Sequence, residues 1–167
     1  MRHRLHTLGW VLATQVASTP LSVTALERRI GPGQDLQRLV DDLPAGVTLR
    51  LSPGLYDGPL LLHRPLSLIG DPGAVVDGGG QGRVITVDAP DIRLQGLTIR
   101  GSGLDLSNED SGIFVTGNGD RARVLDNYLQ GNLIGVYLKG PEEAWVLGNT
   151  CLLYTSPSPR DQRPNLV

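Results

Sequence analysis

Hydrophobic and polar positions alternate in short bursts along most of this chain, and glycine closes nearly every burst. Val47–Leu51 alternates apolar with polar residues and gives way to Ser52-Pro53-Gly54. Similar segments occupy 65–70, 74–78, 84–87, 92–96, 97–101, 112–115, 123–127, 135–138 and 145–149. Runs of this length with turn residues at their ends predict short β-strands. The pieces also repeat. Val124-Leu125-Asp126-Asn127 returns 22 residues later as Val146-Leu147-Gly148-Asn149, and Gly112-Ile113-Phe114-Val115 returns 23 residues later as Gly135-Val136-Tyr137-Leu138. Propeller blades need about 40 residues or more per repeat, so stacked coils fit better. The expected fold class is all-β, a right-handed parallel β-helix (solenoid), its hand following the general preference for right-handed crossovers.

Ahead of the coils the period changes. Leu36, Leu39, Val40 and Leu43 fall at i, i+3, i+4 and i+7, with Asp35 before them and Pro44-Ala45-Gly46 after. This predicts a short N-terminal capping helix that covers the first coil and its unpaired strand edge. Gly78, Gly96, Gly112, Asn127 and Asn149 are read as coil corners, because Gly and Asn tolerate positive φ. Asn127 and Asn149 are placed one coil apart, where their amides can form a ladder.

The ends of the chain differ from its middle. Residues 1–7 carry Arg2 and Arg4, residues 8–17 are mostly apolar, and Val23-Thr24-Ala25 supplies small residues. This pattern predicts a signal peptide over 1–25 and export to the periplasm. No segment has the ~20 apolar residues of a membrane span. The expected organisation continues with an N-terminal cap over 26–46 and β-helix coils over 47–150. Residues 151–167, beginning Cys151-Leu152-Leu153-Tyr154-Thr155-Ser156-Pro157, contain no glycine and the single Cys. They resemble translated sequencing-adapter read-through and are expected to be a non-native or disordered tail, which implies truncation at the C-terminus.

Composition narrows the function classes. Gly 22 and Pro 12 stand beside 40% apolar and only 4% aromatic residues, a mixture for many turns and aliphatic strands rather than disorder. Residues 26–150 hold eleven Lys or Arg against sixteen Asp or Glu, with no clustered basic run, so a nucleic-acid partner is not expected. One Cys allows no disulfide within the chain. No catalytic Ser-His-Asp set or zinc spacing occurs, and Gly78-Gly79-Gly80 lacks the Lys-Ser/Thr of a phosphate loop. One interval breaks the coil rhythm, the acidic and Gly-rich stretch 101–111. An insertion in a solenoid marks the binding face, so Asp105, Asn108, Glu109 and Asp110 are the candidate ligand or partner surface.

The order of several segments is similar to a known family. Leu51-Ser52-Pro53-Gly54-Leu55-Tyr56, Pro65-Leu66-Ser67-Leu68-Ile69-Gly70, Val76-Asp77-Gly78-Gly79-Gly80 and the run from Ile92 through Gly103 precede Ser111-Gly112-Ile113. In this order they resemble the N-terminal part of the nitrous-oxide reductase maturation proteins of the NosD type, over about 36–150. The resemblance implies a periplasmic right-handed β-helix, not an enzyme. It implies work with ABC transporter subunits, a copper chaperone and nitrous-oxide reductase in assembling that reductase's copper site. Copper(I) favours Cys and Met, yet residues 26–150 offer only His63, expected as an exposed corner residue. No metal site or cofactor is therefore expected in this segment, and copper would be handled by other parts or by partners.

Two other classes stay open on the residues alone. A β-helix polysaccharide lyase or epimerase would draw on Asp105, Glu109 and Asp110, with Arg100 or Lys139 as the basic group. A carbohydrate-binding protein is disfavoured by the scarcity of aromatics. Trp145, Tyr137, Tyr128, Phe114 and Tyr56 all lie in or beside strand patterns, where packing is expected.

Overall fold

The computed structural model describes residues 26–152. The expected signal peptide and residues 153–167 of the expected tail lie outside the described residues, while the first two residues of that tail, Cys151 and Leu152, lie in the last strand of the solenoid.

After β1 (Glu27–Ile30) and α1 (Leu36–Asp42), the chain winds through coils of three strands. The first coil is β2 (Val47–Leu51), β3 (Gly54–Asp57) and β4 (Leu60–Leu62), and the second is β5 (Leu66–Gly70), β6 (Ala74–Asp77) and β7 (Ile85–Val87). The third is β8 (Arg93–Gln95), β9 (Thr98–Arg100) and β10 (Ser111–Val115), and the fourth is β11 (Arg123–Leu125), β12 (Tyr128–Gln130) and β13 (Ile134–Leu138). β14 (Trp145–Leu147) and β15 (Thr150–Leu152) begin a fifth. Every pairing joins strands of successive coils in parallel, giving three sheets ordered β1-β2-β5-β8-β11-β14, β3-β6-β9-β12-β15 and β4-β7-β10-β13. The fold is an all-β parallel solenoid with one short helix.

Register sets the core. Leu49, Leu68, Leu94 and Val124 stack in the first sheet, Tyr56, Val76, Ile99 and Leu129 in the second, and Leu60, Ile85 and Ile113 in the third. All are at most 1% exposed. Because side chains alternate across a strand, each inward stack leaves an outward row on the opposite surface. Successive coils along the first sheet are 19, 26, 30 and 22 residues long, from Leu49 to Leu68, Leu94, Val124 and Val146. Variable length is absorbed at the corners, so a single fixed repeat is visible only in the last coils.

The capping helix begins at Asp35, whose carboxylate accepts from Arg38 N at 3.0 Å. Leu36 and Val40 are buried, and Leu39 and Leu43 pack partly against the core. β4 is an edge strand, and Gln37 closes it: Leu61 N donates to Gln37 Oε1 (2.7 Å) and Gln37 Nε2 donates to Leu61 O (3.1 Å). One amide thus replaces the peptide of a missing neighbouring strand.

Several corner expectations require correction. Gly112 is not a corner: it lies inside β10, and a Cβ there would sit 2.9 Å from Asn132 Nδ2 and 3.0 Å from Gly135 O. Asn127 and Asn149 do not take the left-handed conformation. The residues before them do, Asp126 at φ 52° and Gly148 at φ 68°, matching Gly96 at φ 69° in the coil above. Gly78 is excluded from carrying a side chain by crowding, since a Cβ would meet Gly101 O at 2.7 Å. β1 was not legible as a strand. Trp145 and Tyr128 were expected to pack, yet they face solvent at 60% and 37% exposure because both fall on outward positions.

Candidate functional site

The left-handed residue at each first corner turns its successor inward. Asn127 is thereby buried, accepting from Leu97 N at 3.1 Å and donating to Leu94 O at 3.1 Å and to Asn149 Oδ1 at 3.0 Å. Asn149 Nδ2 donates in turn to Val124 O at 2.8 Å. The next corner repeats the device with a residue that sequence reasoning missed. Asn132 follows Gly131 (φ 62°), accepts from Ser102 N at 3.1 Å and donates to Ile99 O at 2.9 Å. The signal was present, since Gly131-Asn132 matches Gly148-Asn149. These amides are scaffold rather than ligand-binding groups, but they fix the start of the acidic insertion at Ser102.

Residues 101–110 leave the solenoid between β9 and β10, and their polar groups are largely committed to one another. Asp105 closes a turn: its Oδ1 accepts from Ser107 N (2.9 Å) and Ser107 Oγ (2.5 Å), and its Oδ2 accepts from Asn108 Nδ2 (2.6 Å). The Ser107 hydroxyl, then the turn amides, hold the Asp105 carboxyl below its ordinary pKa. Asp110 is 5% exposed rather than a surface group, and its Oδ2 accepts from Asp105 N at 2.8 Å. Gly103 admits no side chain, since a Cβ would fall 2.6 Å from Gly82 N and against the Asp110 carboxylate.

Glu109 links three coils. It accepts from Arg83 of the second coil at 3.0 Å and from Lys139, just past the fourth, at 2.9 and 3.0 Å. The Lys139 ammonium first, and Arg83 last among the causes, hold its carboxyl low. Beneath lies the outward row of the third sheet, Leu61, Thr86, Phe114 and Tyr137, in direct register. Phe114 and Tyr137 stack with centroids 5.4 Å apart and planes 3° from parallel, and the Arg83 guanidinium lies 3.5 Å over the Phe114 ring. Although it points outward, Phe114 is only 2% exposed. The pinned insertion leaves Leu104 and Leu106 at 57% and 69% exposure. The result is an acidic, internally hydrogen-bonded platform with two apolar side chains presented to solvent.

General acid–base chemistry is poorly served here. Lys139 is held by Glu109, Arg100 donates to Asp77 at 2.7 Å, and Asp105 is spent on its own turn. Among the described residues no group of three or more His, Cys, Asp and Glu is arranged to hold a metal. His63, after the first coil, contacts Asp41 and Arg64, while Cys151 lies in the fifth coil. These donors sit apart and do not fit a copper site.

Two curated proteins match this chain, each bearing the name "Probable ABC transporter binding protein NosD". The one from Stutzerimonas stutzeri is 35% identical over 100 residues, and the one from Pseudomonas aeruginosa is 37% identical over 99 residues. The chain resembles NosD-type proteins. The matches cover 60% and 59% of this chain but 23% of each relative, so the chain spans under a quarter of their length. No family model matches. Among solved structures, a pectin methylesterase in complex with a hexasaccharide superposes with a TM-score of 0.54 at 25% identity, over 64% of this chain and 42% of that one. A mutant pectin methylesterase with another hexasaccharide gives 0.52 at 24% identity, over 62% and 41%. These place the NosD-like chain among parallel β-helix proteins. The described residues contain no helix long and apolar enough to cross a membrane.

Proposed function

We propose that this chain is a β-helical segment of an exported, non-catalytic accessory protein that assembles the copper site of nitrous-oxide reductase in the periplasm. In this reading it works with ABC transporter subunits, a copper chaperone and the reductase, and it supplies docking surface while copper stays on partners or on other parts of the longer protein. The observation that carries it is the 35–37% identity to proteins named as NosD and as transporter-binding. The insertion at 101–110, hydrogen-bonded within itself and tied to neighbouring coils, is the surface assigned to partner contact. The test is a chimaera in which this chain's coils replace the matching segment of the Stutzerimonas stutzeri relative. In a denitrifying host lacking its own NosD-type protein, copper content and activity of nitrous-oxide reductase should return. A chimaera exported at normal level that leaves the reductase without copper would overturn the proposal.

A second reading, a polysaccharide-active β-helix, is favoured by the neighbouring pectin methylesterase structures. It predicts a change in methyl ester content, or release of unsaturated products, when the protein is incubated with pectin or alginate. Unaltered polymer on both measures would remove it.

A further inference from the structure

The outer surface of the first sheet carries a second feature. Ser67, Arg93, Arg123 and Trp145 stand in direct register on β5, β8, β11 and β14, all on outward positions. Parallel neighbours lie about 4.8 Å apart, and like charges directly opposite each other destabilise a sheet. Most other arginines of the solenoid are matched by carboxylates. Arg29 pairs with Asp71, Arg50 with Glu27 and Asp71, Arg83 with Glu109, Arg100 with Asp77, and Arg121 with Asp91. Among the described residues, Arg93 and Arg123 make no ion pair. Arg93 donates to the neutral Gln95 side chain, and its Nε is buried without a partner.

A cavity of about 200 Å³ opens at this point, lined by Ser67, Asp91, Ile92, Arg93, Arg121 and Arg123. Asp91 is already held by Arg121 through two hydrogen bonds of 2.8 and 2.7 Å. Three guanidiniums and one carboxylate line this space, and the carboxylate is taken by Arg121. Guanidinium forks bind tetrahedral oxyanions with several parallel hydrogen bonds.

We infer that Arg93, Arg123 and Ser67 form a binding subsite for a phosphate-class dianion, seated across the second, third and fourth coils. The ion balances the two stacked guanidiniums. Ser67 supplies a hydroxyl donor at the end of the row. The subsite is separate from the acidic platform, which lies on the third sheet, and does not depend on the maturation role.

The test is a titration of the full chain with inorganic phosphate at constant ionic strength, followed by the Nε–Hε NMR signals of its arginines. Saturable shifts at Arg93 and Arg123 are expected, with sulfate reproducing them and chloride failing to. Arg93→Gln and Arg123→Gln should each weaken binding about tenfold, and the double variant should abolish it, while the distant Arg28→Gln leaves it unchanged. A parallel titration with glycerol phosphate separates sources: equal or tighter binding assigns an esterified phosphate, and binding of the free ion alone assigns inorganic phosphate. Absence of saturable binding, or phosphate binding indifferent to both substitutions, overturns the inference. Should the double variant fail to fold, the exposed Arg123→Gln alone decides the outcome.

Discussion

Replacing Asn127 with alanine tests whether the corner amides hold successive coils together. The side chain is 2% exposed and satisfies two backbone groups of the coil above, the Leu97 N–H and the Leu94 carbonyl. Alanine leaves the Leu97 N–H buried and unpaired, at about 1–3 kcal/mol, whereas the Leu94 carbonyl keeps the ladder bond from Leu125 N that the parallel register provides. The Asn149 amide retains the Asn127 N–H as a donor at 2.9 Å, so the damage concentrates toward the third coil. The expected loss is about 1–3 kcal/mol, most of it local. Solenoids can open coil by coil, so a single global unfolding midpoint would blur this effect. Amide hydrogen exchange reads it directly. If about 2 kcal/mol falls on the Leu97 amide, its protection drops some thirtyfold, since each 1.4 kcal/mol is a factor of ten. The Ser102 amide, held by Asn132 at the next corner, serves as the internal control. A Leu97 exchange rate within about threefold of the parent, with Ser102 equally unmoved, would refute the idea that these amides carry inter-coil stability.

Three further outcomes follow from named contacts. Gln37→Ala removes the amide that closes the β4 edge, so the variant should show concentration-dependent association by light scattering while its far-UV dichroism stays unchanged. Gly96→Ala should destabilise more than Gly131→Ala in urea unfolding. Both require positive φ, at about 1–2 kcal/mol for alanine, but only at Gly96 would the Cβ also meet a backbone oxygen, Gly70 O at 2.8 Å. Acid should weaken the fold through carboxylates held below their ordinary pKa. Asp77 is lowered first by the Gly79 N–H and then by Arg100, Asp88 by Thr116 and Asn118, and Asp91 by Arg121. A depressed folded-state pKa contributes stability that is present above the unfolded value, near 4, and is lost as pH falls through the folded value. Thermal midpoints should therefore hold from neutrality to about pH 4 and decline below it, less steeply in Asp77→Asn; an identical decline in that variant would exclude Asp77 as a contributor.

The sequence by itself determined the solenoid. Alternation in 47–51 and its successors specified strands, the 22- and 23-residue returns specified stacked coils, and the helical period at Leu36 specified the cap. These are local signals, because strand periodicity and turn chemistry act between near neighbours in the chain. β3 and β4 escaped notice since Gly54–Asp57 and Leu60–Leu62 carry no apolar–polar alternation, and β1 is recognisable only by its pairing with β2.

What only the tertiary structure decided is which charges meet. Asp105, Asn108, Glu109 and Asp110 stood out as one acidic stretch, but their roles diverge: Asp105 ties a turn with Asn108, Asp110 is buried, and Glu109 joins Arg83 to Lys139, 26 and 30 residues away. Arg93 and Arg123 look like unrelated surface arginines until coil spacing sets one above the other with no ion pair to either. Coil lengths from 19 to 30 residues shift register between successive turns, so no fixed interval in the sequence reveals these neighbours. Pairing across coils is fixed by the parallel hydrogen bonds of the sheets, and those exist only once the chain has wound.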